Sequence, residues 1–124
     1  MATLALVVAG CTGAPSVAPS PSAPAVVTVF LEDSTFIPYG GSTADGVPVL
    51  TVPVGTTVMW VNLDPIDHTA TEYLEGFPKP DARFDIELTP KATGRYTFEE
   101  PGTYEVGCVP HPAMQMLVIV EGST

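Results

Sequence analysis

Cys108, His111 and Met114 stand within seven residues, Cys108-Val109-Pro110-His111-Pro112-Ala113-Met114, and put a thiol, an imidazole and a thioether on one short loop. Soft sulfur ligands favour Cu(I) and imidazole favours Cu(II), so a mixed set held rigidly suits an ion that changes oxidation state without large rearrangement. Pro110 and Pro112 fix φ on either side of His111, which lets the loop keep its shape with little help from a metal. A second imidazole must come from elsewhere in the chain. Only two histidines exist, and the other is His68.

Taken singly, each of these residues has an ordinary use. His68 follows Asp67 and reads as a loop histidine beside a carboxylate; Cys108 reads as a small buried hydrophobe at a strand end. His111 reads as a turn residue between prolines, and Met114 and Met116 as core filler. Together, in a chain with two histidines and one available thiol, they read as a copper site.

Short β-branched and aromatic runs separated by turn signals must carry this set. The strand candidates are Val26–Leu31, Val49–Val52, Thr56–Val61, His68–Tyr73, Gly94–Phe98, Thr103–Cys108 and Leu117–Glu121. Pro53-Val54-Gly55 and Glu100-Pro101-Gly102 read as tight turns between strands, and residues 39–48 as a polar, glycine-rich surface loop. No window of helical length has a clean 3.6-residue period, although one helical turn is expected near 72–76 or 80–83. Residues 26–122 are therefore expected to form one all-β domain, a sandwich or barrel.

The first 25 residues differ in kind. Residues 1–11 are an uncharged apolar run ending Val8-Ala9-Gly10-Cys11, which resembles a bacterial or archaeal lipoprotein signal with Cys11 as the lipid attachment site. The run lacks the usual Lys or Arg ahead of it, and it is too short to span a bilayer. Residues 12–25 are almost wholly Ala, Pro, Ser, Gly, Thr and Val, a tether of about 40 Å at most when extended as polyproline II. A lipidated Cys11 leaves Cys108 as the one unpaired thiol, which in an oxidising compartment must be buried or metal-bound. The alternative is a disulfide between Cys11 and Cys108.

Fourteen acids against four bases give a formal net charge of -10. That balance excludes nucleic acid as a partner. It serves solubility, or it steers the chain towards a cationic redox partner.

Val54–Asn62 leading to His68, then Phe84-Asp85, then Tyr96–Tyr104, then Cys108–Met114 together resemble a cupredoxin, most closely the amicyanin, plastocyanin and halocyanin group. The resemblance covers nearly all of residues 26–121. It implies a Greek-key β-sandwich of about seven to eight strands with one type 1 (blue) copper centre at one end. It further implies single-electron transfer between larger redox proteins at the cell envelope, with no catalysis and no small-molecule substrate. Combined with the N-terminal segment, it implies an extracytoplasmic protein, in the periplasm or on the outer face of the cell membrane, tethered there by its lipid.

In that family pattern His68, Cys108 and His111 are the trigonal ligands and a methionine is the weak axial one. Met114 matches the amicyanin spacing and Met116 the plastocyanin spacing. The position of the Val-x-Val strand that follows selects Met114. The chain departs from the pattern at Met116, where Gly is common, at Val106, where an aromatic is common, and at Thr69, where Asn is common. Thr69 is expected to use its hydroxyl near the thiolate instead.

Two other functions fit less well. A copper-delivery protein of the same fold would bind Cu(I) without needing fast redox exchange, but delivery sites more often use Met- and His-rich sets than a Cys-x2-His loop with a distant His. A thiol enzyme using Cys108 with His111 would need an orienting group and a substrate pocket, and the sequence offers neither. Around the expected copper end, Pro65, Ile66, Pro110, Pro112 and Ala113 are expected to form an apolar collar about His111.

Overall fold

The computed structural model describes residues 25–122, so the expected signal segment with Cys11 and nearly all of the tether lie outside the described residues. Eleven strands follow one another: β1 (Val26–Glu32), β2 (Thr35–Pro38), β3 (Ser42–Ala44), β4 (Val47–Pro53), β5 (Thr57–Asn62), β6 (His68–Leu74), β7 (Phe77–Pro78), β8 (Asp85–Leu88), β9 (Thr93–Thr97), β10 (Gly102–Cys108) and β11 (His111–Glu121). They form two sheets. One has the order β2-β1-β5-β9; the other runs β3-β4-β11-β10-β6-β7, with β8 also paired to β6. Pairs β1–β5 and β4–β11 are parallel and the rest antiparallel. The result is the expected cupredoxin-type β-sandwich, with more and shorter strands than foreseen.

The seven strands read from sequence are all present, and the four additional ones are short. Three of these close two-residue hairpins through turns whose two central residues both have positive φ: Asp33-Ser34 (54° and 52°), Asp45-Gly46 (53° and 81°) and Glu75-Gly76 (54° and 85°). Such turns match the right-handed twist of the strands they join. Residues 39–48 are thus only partly a loop, because Asp45-Gly46 folds β3 back on β4. The expected helical turn is also corrected. Residues 72–74 belong to β6 and then reverse at Glu75-Gly76, whose N–H groups both donate to the Glu105 carboxylate at 3.0 Å. At 79–82 a lone bond from the Ala82 N–H to the Lys79 carbonyl makes a turn and not a helix.

Side chains alternate across each strand, and the inward files meet between the sheets. Val29, Leu31, Val58, Trp60, Leu88, Phe98, Val106 and Val118 are completely buried there. Each buried aliphatic or aromatic side chain contributes about 1.5–3 kcal/mol. In β10 the inward file is Tyr104, Val106 and Cys108; in β11 it is Met114, Met116, Val118 and Val120. Both files run to the same end of the sandwich. The register between these strands shifts at Gly107/Cys108, so that Gly107 faces Gln115 while Cys108 faces His111. A shift of this kind re-aims side chains at the end of a ladder. It explains why β11 starts at His111, six residues before the Leu117 expected from the apolar run.

Candidate metal centre

Three elements converge at the end where Cys108 closes the inward file of β10. His68 opens β6, Cys108 ends β10 and His111 begins β11. His68 and Cys108 are buried, and His111 is half-buried. The His68 Nδ1 lies 3.1 Å from the His111 Nδ1; the Cys108 Sγ is 3.5 Å from the former and 3.4 Å from the latter. This near-equilateral triangle has a centre about 1.9 Å from every corner, close to the 2.0–2.3 Å of first-row metal bonds to nitrogen and sulfur. The donor set fits a copper ion.

Local contacts hold each corner. Among the described residues Cys108 is a free, buried thiol. Burial pushes its pKa up from the ordinary value, while the N–H groups of Thr69 and His111 pull it down less strongly. The Thr69 N–H points at the sulfur from 3.3 Å. A thiol raised in this way becomes a thiolate readily only beside a cation.

Thr69 also ties the ligand loop to the sheet. The Val109 N–H donates to its hydroxyl at 2.9 Å, that hydroxyl lies 2.8 Å from the Thr71 hydroxyl, and the Thr71 hydroxyl donates to the Asp85 carboxylate at 2.9 Å. The Thr69 hydroxyl helps to lower the Cys108 pKa, as expected near the thiolate, and it also fastens the loop, while the Thr69 N–H makes the closer contact with the sulfur. Within the loop, the Gln115 side-chain N–H donates to the Pro112 carbonyl at 3.0 Å.

The far side of His68 holds two residues that the sequence reading had not singled out. The His68 Nε2 is 2.6 Å from the Asp64 carboxylate, and Asp64 is only 7% exposed. The fully buried Asn62 accepts the Asp64 N–H at 2.9 Å and donates to the carbonyls of Ile66 and Leu88, both at 2.8 Å. Asn-x-Asp-x3-His was the signal available in sequence. It was masked by Asp67, which is adjacent to His68 but exposed.

The two methionines share the inward file of β11 and are both buried. Met116 sits opposite Val106, further down the sandwich than the Cys108–His111 pair, while Met114 lies within the bulged loop. The residues expected to form the collar, Pro65, Ile66, Pro110, Pro112 and Ala113, are all exposed, and His111 is half-buried.

The model of the family described as copper binding proteins, plastocyanin/azurin family, matches residues 46–121, and the chain belongs to that family. It is similar to amicyanin from Paracoccus versutus, 36% identical over 74 residues, which are 60% of this chain and 55% of that protein. Amicyanin from Paracoccus denitrificans is 35% identical over 74 residues, 60% of this chain and 56% of that one. The chain thus spans just over half the length of these relatives.

Among solved structures, the Cu(I) form of an amicyanin mutant is 27% identical with a TM-score of 0.61, covering 82% of this chain and 87% of that one. A purple cupredoxin from Nitrosopumilus maritimus is also 27% identical, with a TM-score of 0.59 and coverage of 78% and 99%. The family, the amicyanin likeness and the cluster of His68, Cys108 and His111 make copper, at one type 1 site, the metal of this chain.

Proposed function

We propose that this chain is a type 1 copper electron carrier whose ligands are the His68 Nδ1, the Cys108 Sγ, the His111 Nδ1 and, axially, the Met114 sulfur. The observation that carries the reading is the triangle of two imidazole nitrogens and one sulfur with edges of 3.1, 3.4 and 3.5 Å. Bound copper supplies a one-electron couple. The chain's part is to hold these donors nearly still, so that gaining or losing an electron demands little rearrangement. Two prolines in the loop, the Thr69 clamp and the Asn62 framework all serve that end.

Met114 is preferred to Met116 because it belongs to the same bulged loop as Cys108 and His111. Half-buried His111, with exposed Pro110, Pro112 and Ala113 beside it, is the natural place for an electron to pass to a partner. The partners are redox proteins, and the chain's charge of -10 suits a cationic docking surface on them. Nucleic acid and small-molecule substrates have no part in this reading, and the chain is not an enzyme. Cys11 is the proposed lipid attachment point and residues 12–25 the tether, which makes the site extracytoplasmic, at the periplasmic or outer face of the membrane.

The test is the visible absorption and electron paramagnetic resonance of the full chain after Cu(II) addition. An intense thiolate-to-copper band with narrow hyperfine splitting, lost in Cys108→Ser, is expected; a colourless wild-type protein would end the proposal. Met114→Leu is expected to alter the spectrum and Met116→Leu to leave it nearly unchanged, and the reverse would transfer the axial role. Ala113→Lys is expected to slow reduction by a partner without moving the band.

A further inference from the structure

The two histidines of the triangle are backed very differently. The Nε2 of His111 makes no hydrogen bond among the described residues, and the ring is half-buried. The Nε2 of His68 meets the Asp64 Oδ2 at 2.6 Å in a buried setting. Resting on the copper-site reading above, we infer that Asp64 is a positioning residue for the metal: its carboxylate fixes the His68 tautomer and biases the site towards the more highly charged oxidation state.

Hydrogen bonds fix the orientation of the Asp64 carboxylate. The Asp64 Oδ1 accepts the Asp33 N–H at 2.7 Å, and its Oδ2 accepts the Ser34 N–H at 2.9 Å. Both oxygens are therefore turned towards donors, and the remaining close partner, the His68 Nε2, completes the set as a third N–H. With the proton on Nε2, the lone pair of Nδ1 is left for the triangle. A carboxylate behind a ligating imidazole also raises the ring's basicity, which is worth more to the doubly charged ion than to the singly charged one.

The surroundings are built to hold that carboxylate. Asp33 and Ser34 are the central residues of the β1–β2 turn, both at positive φ although neither is glycine. Their N–H groups point into the fold, at a residue about thirty positions away. Asn62 grips the Asp64 N–H from below and is itself held by two carbonyls. A carboxylate serving only to close the turn would not need to touch His68.

The experiment uses the full chain, labelled with 15N at histidine, in three variants. In the metal-free wild type, long-range 1H–15N spectra are expected to give one His68 tautomer with the proton on Nε2. Asp64→Asn keeps an acceptor but removes the charge. It should retain that tautomer while the ratio of Cu(II) to Cu(I) affinity falls about tenfold, an upward shift in potential of about 59 mV for one electron. Asp64→Ala removes the acceptor as well; mixed His68 tautomers and about 10–100-fold weaker copper binding are expected. Glu100→Gln removes one exposed carboxylate that touches neither histidine, and should leave tautomer and potential at wild-type values.

The inference is overturned if the folded Asp64→Asn protein has the wild-type potential, or if the wild-type His68 carries its proton on Nδ1. A wild type without the blue band would instead overturn the copper-site reading. The tautomer measurement on the metal-free protein would still decide whether Asp64 sets the state of His68.

Discussion

Two buried carboxylates lie eight residues apart, and they are used for different ends. Asp64 is 7% exposed and Glu72 3%. Each titrates below its ordinary range although burial works in the opposite direction. For Asp64 the opposing bonds come from Ser34, His68 and Asp33, and for Glu72 they come from Arg83 and Lys79. Asp64 is held by the fold and presents itself to His68. Glu72 holds the fold together.

The Glu72 Oε1 accepts the Arg83 backbone N–H at 2.7 Å, and its Oε2 accepts the Arg83 guanidinium at 2.8 Å, with the Lys79 ammonium 3.6 Å away. These bonds staple residues 79–84 to β6 at Glu72, between its pairings with β7 and β8. Phe84 can then enter the core, stacked on Trp60 with centroids 5.7 Å apart and against Tyr96 at 4.6 Å. The comparison teaches that a buried acid cannot be assigned from its burial or its charge. What it faces decides: a metal-site imidazole in one case, a chain crossing in the other.

The largest expected effect that would break this contrast is on stability. Glu72→Ala removes the staple and should cost about 2–3 kcal/mol, less than the fullest penalty for breaking a buried pair because Arg83 can turn to water. Its blue band should be untouched, read by urea unfolding beside the visible spectrum. A displaced band would mean that the two regions are coupled and the contrast is wrong.

Gly107 tests the boundary between them. A Cβ there would lie 2.4–2.6 Å from three ring atoms of Tyr73, so Gly107→Ala must displace the ring or β10. A loss of about 1–3 kcal/mol is expected. Cys108 is the next residue, so here the spectrum should shift together with stability.

A smaller effect is expected with pH. The Glu72 carboxyl has a folded pKa lower than its ordinary 4.5, so its stabilising contribution is complete above that value. The contribution drains away as pH falls through the lowered folded value. Glu72→Gln should therefore flatten the loss of stability measured between pH 5 and the acid limit, and an unchanged slope would remove Glu72 from the account.

The smallest expected effect is at the rim. Glu100 is 75% exposed on its side chain and 3.6 Å from the Arg83 guanidinium, so Glu100→Gln should change stability by less than about 0.5 kcal/mol. A larger loss would extend the staple to the surface.

Much of this was legible before any coordinates. The Cys108-x2-His111-x2-Met114 spacing is local, and the strands Val26–Leu31, Thr56–Val61 and Thr103–Cys108 announced themselves by composition and alternation. The short strands were harder to read. Phe77–Pro78 buries neither of its residues and Thr35–Pro38 buries only Phe36, and both exist because positive-φ turns return the chain to a longer neighbour. Asp45-Gly46 was a readable hairpin signal that the surrounding glycines obscured.

By itself, then, the sequence determined the candidate donor types, the loop on which Cys108, His111 and Met114 stand, the all-β character and the acidic surface, because each depends on residues close together in the chain. Only the tertiary structure decided that His68 meets Cys108 and His111, and that Asp64, not the adjacent Asp67, stands behind it. His68 meets Cys108 and His111 from 40 and 43 positions away, and Asp64, only four residues from His68, is turned to it by Ser34 from 30 positions away. Strand register and the alternation of side chains set them, since a shift of one residue would turn His68 outward and bring its neighbour in.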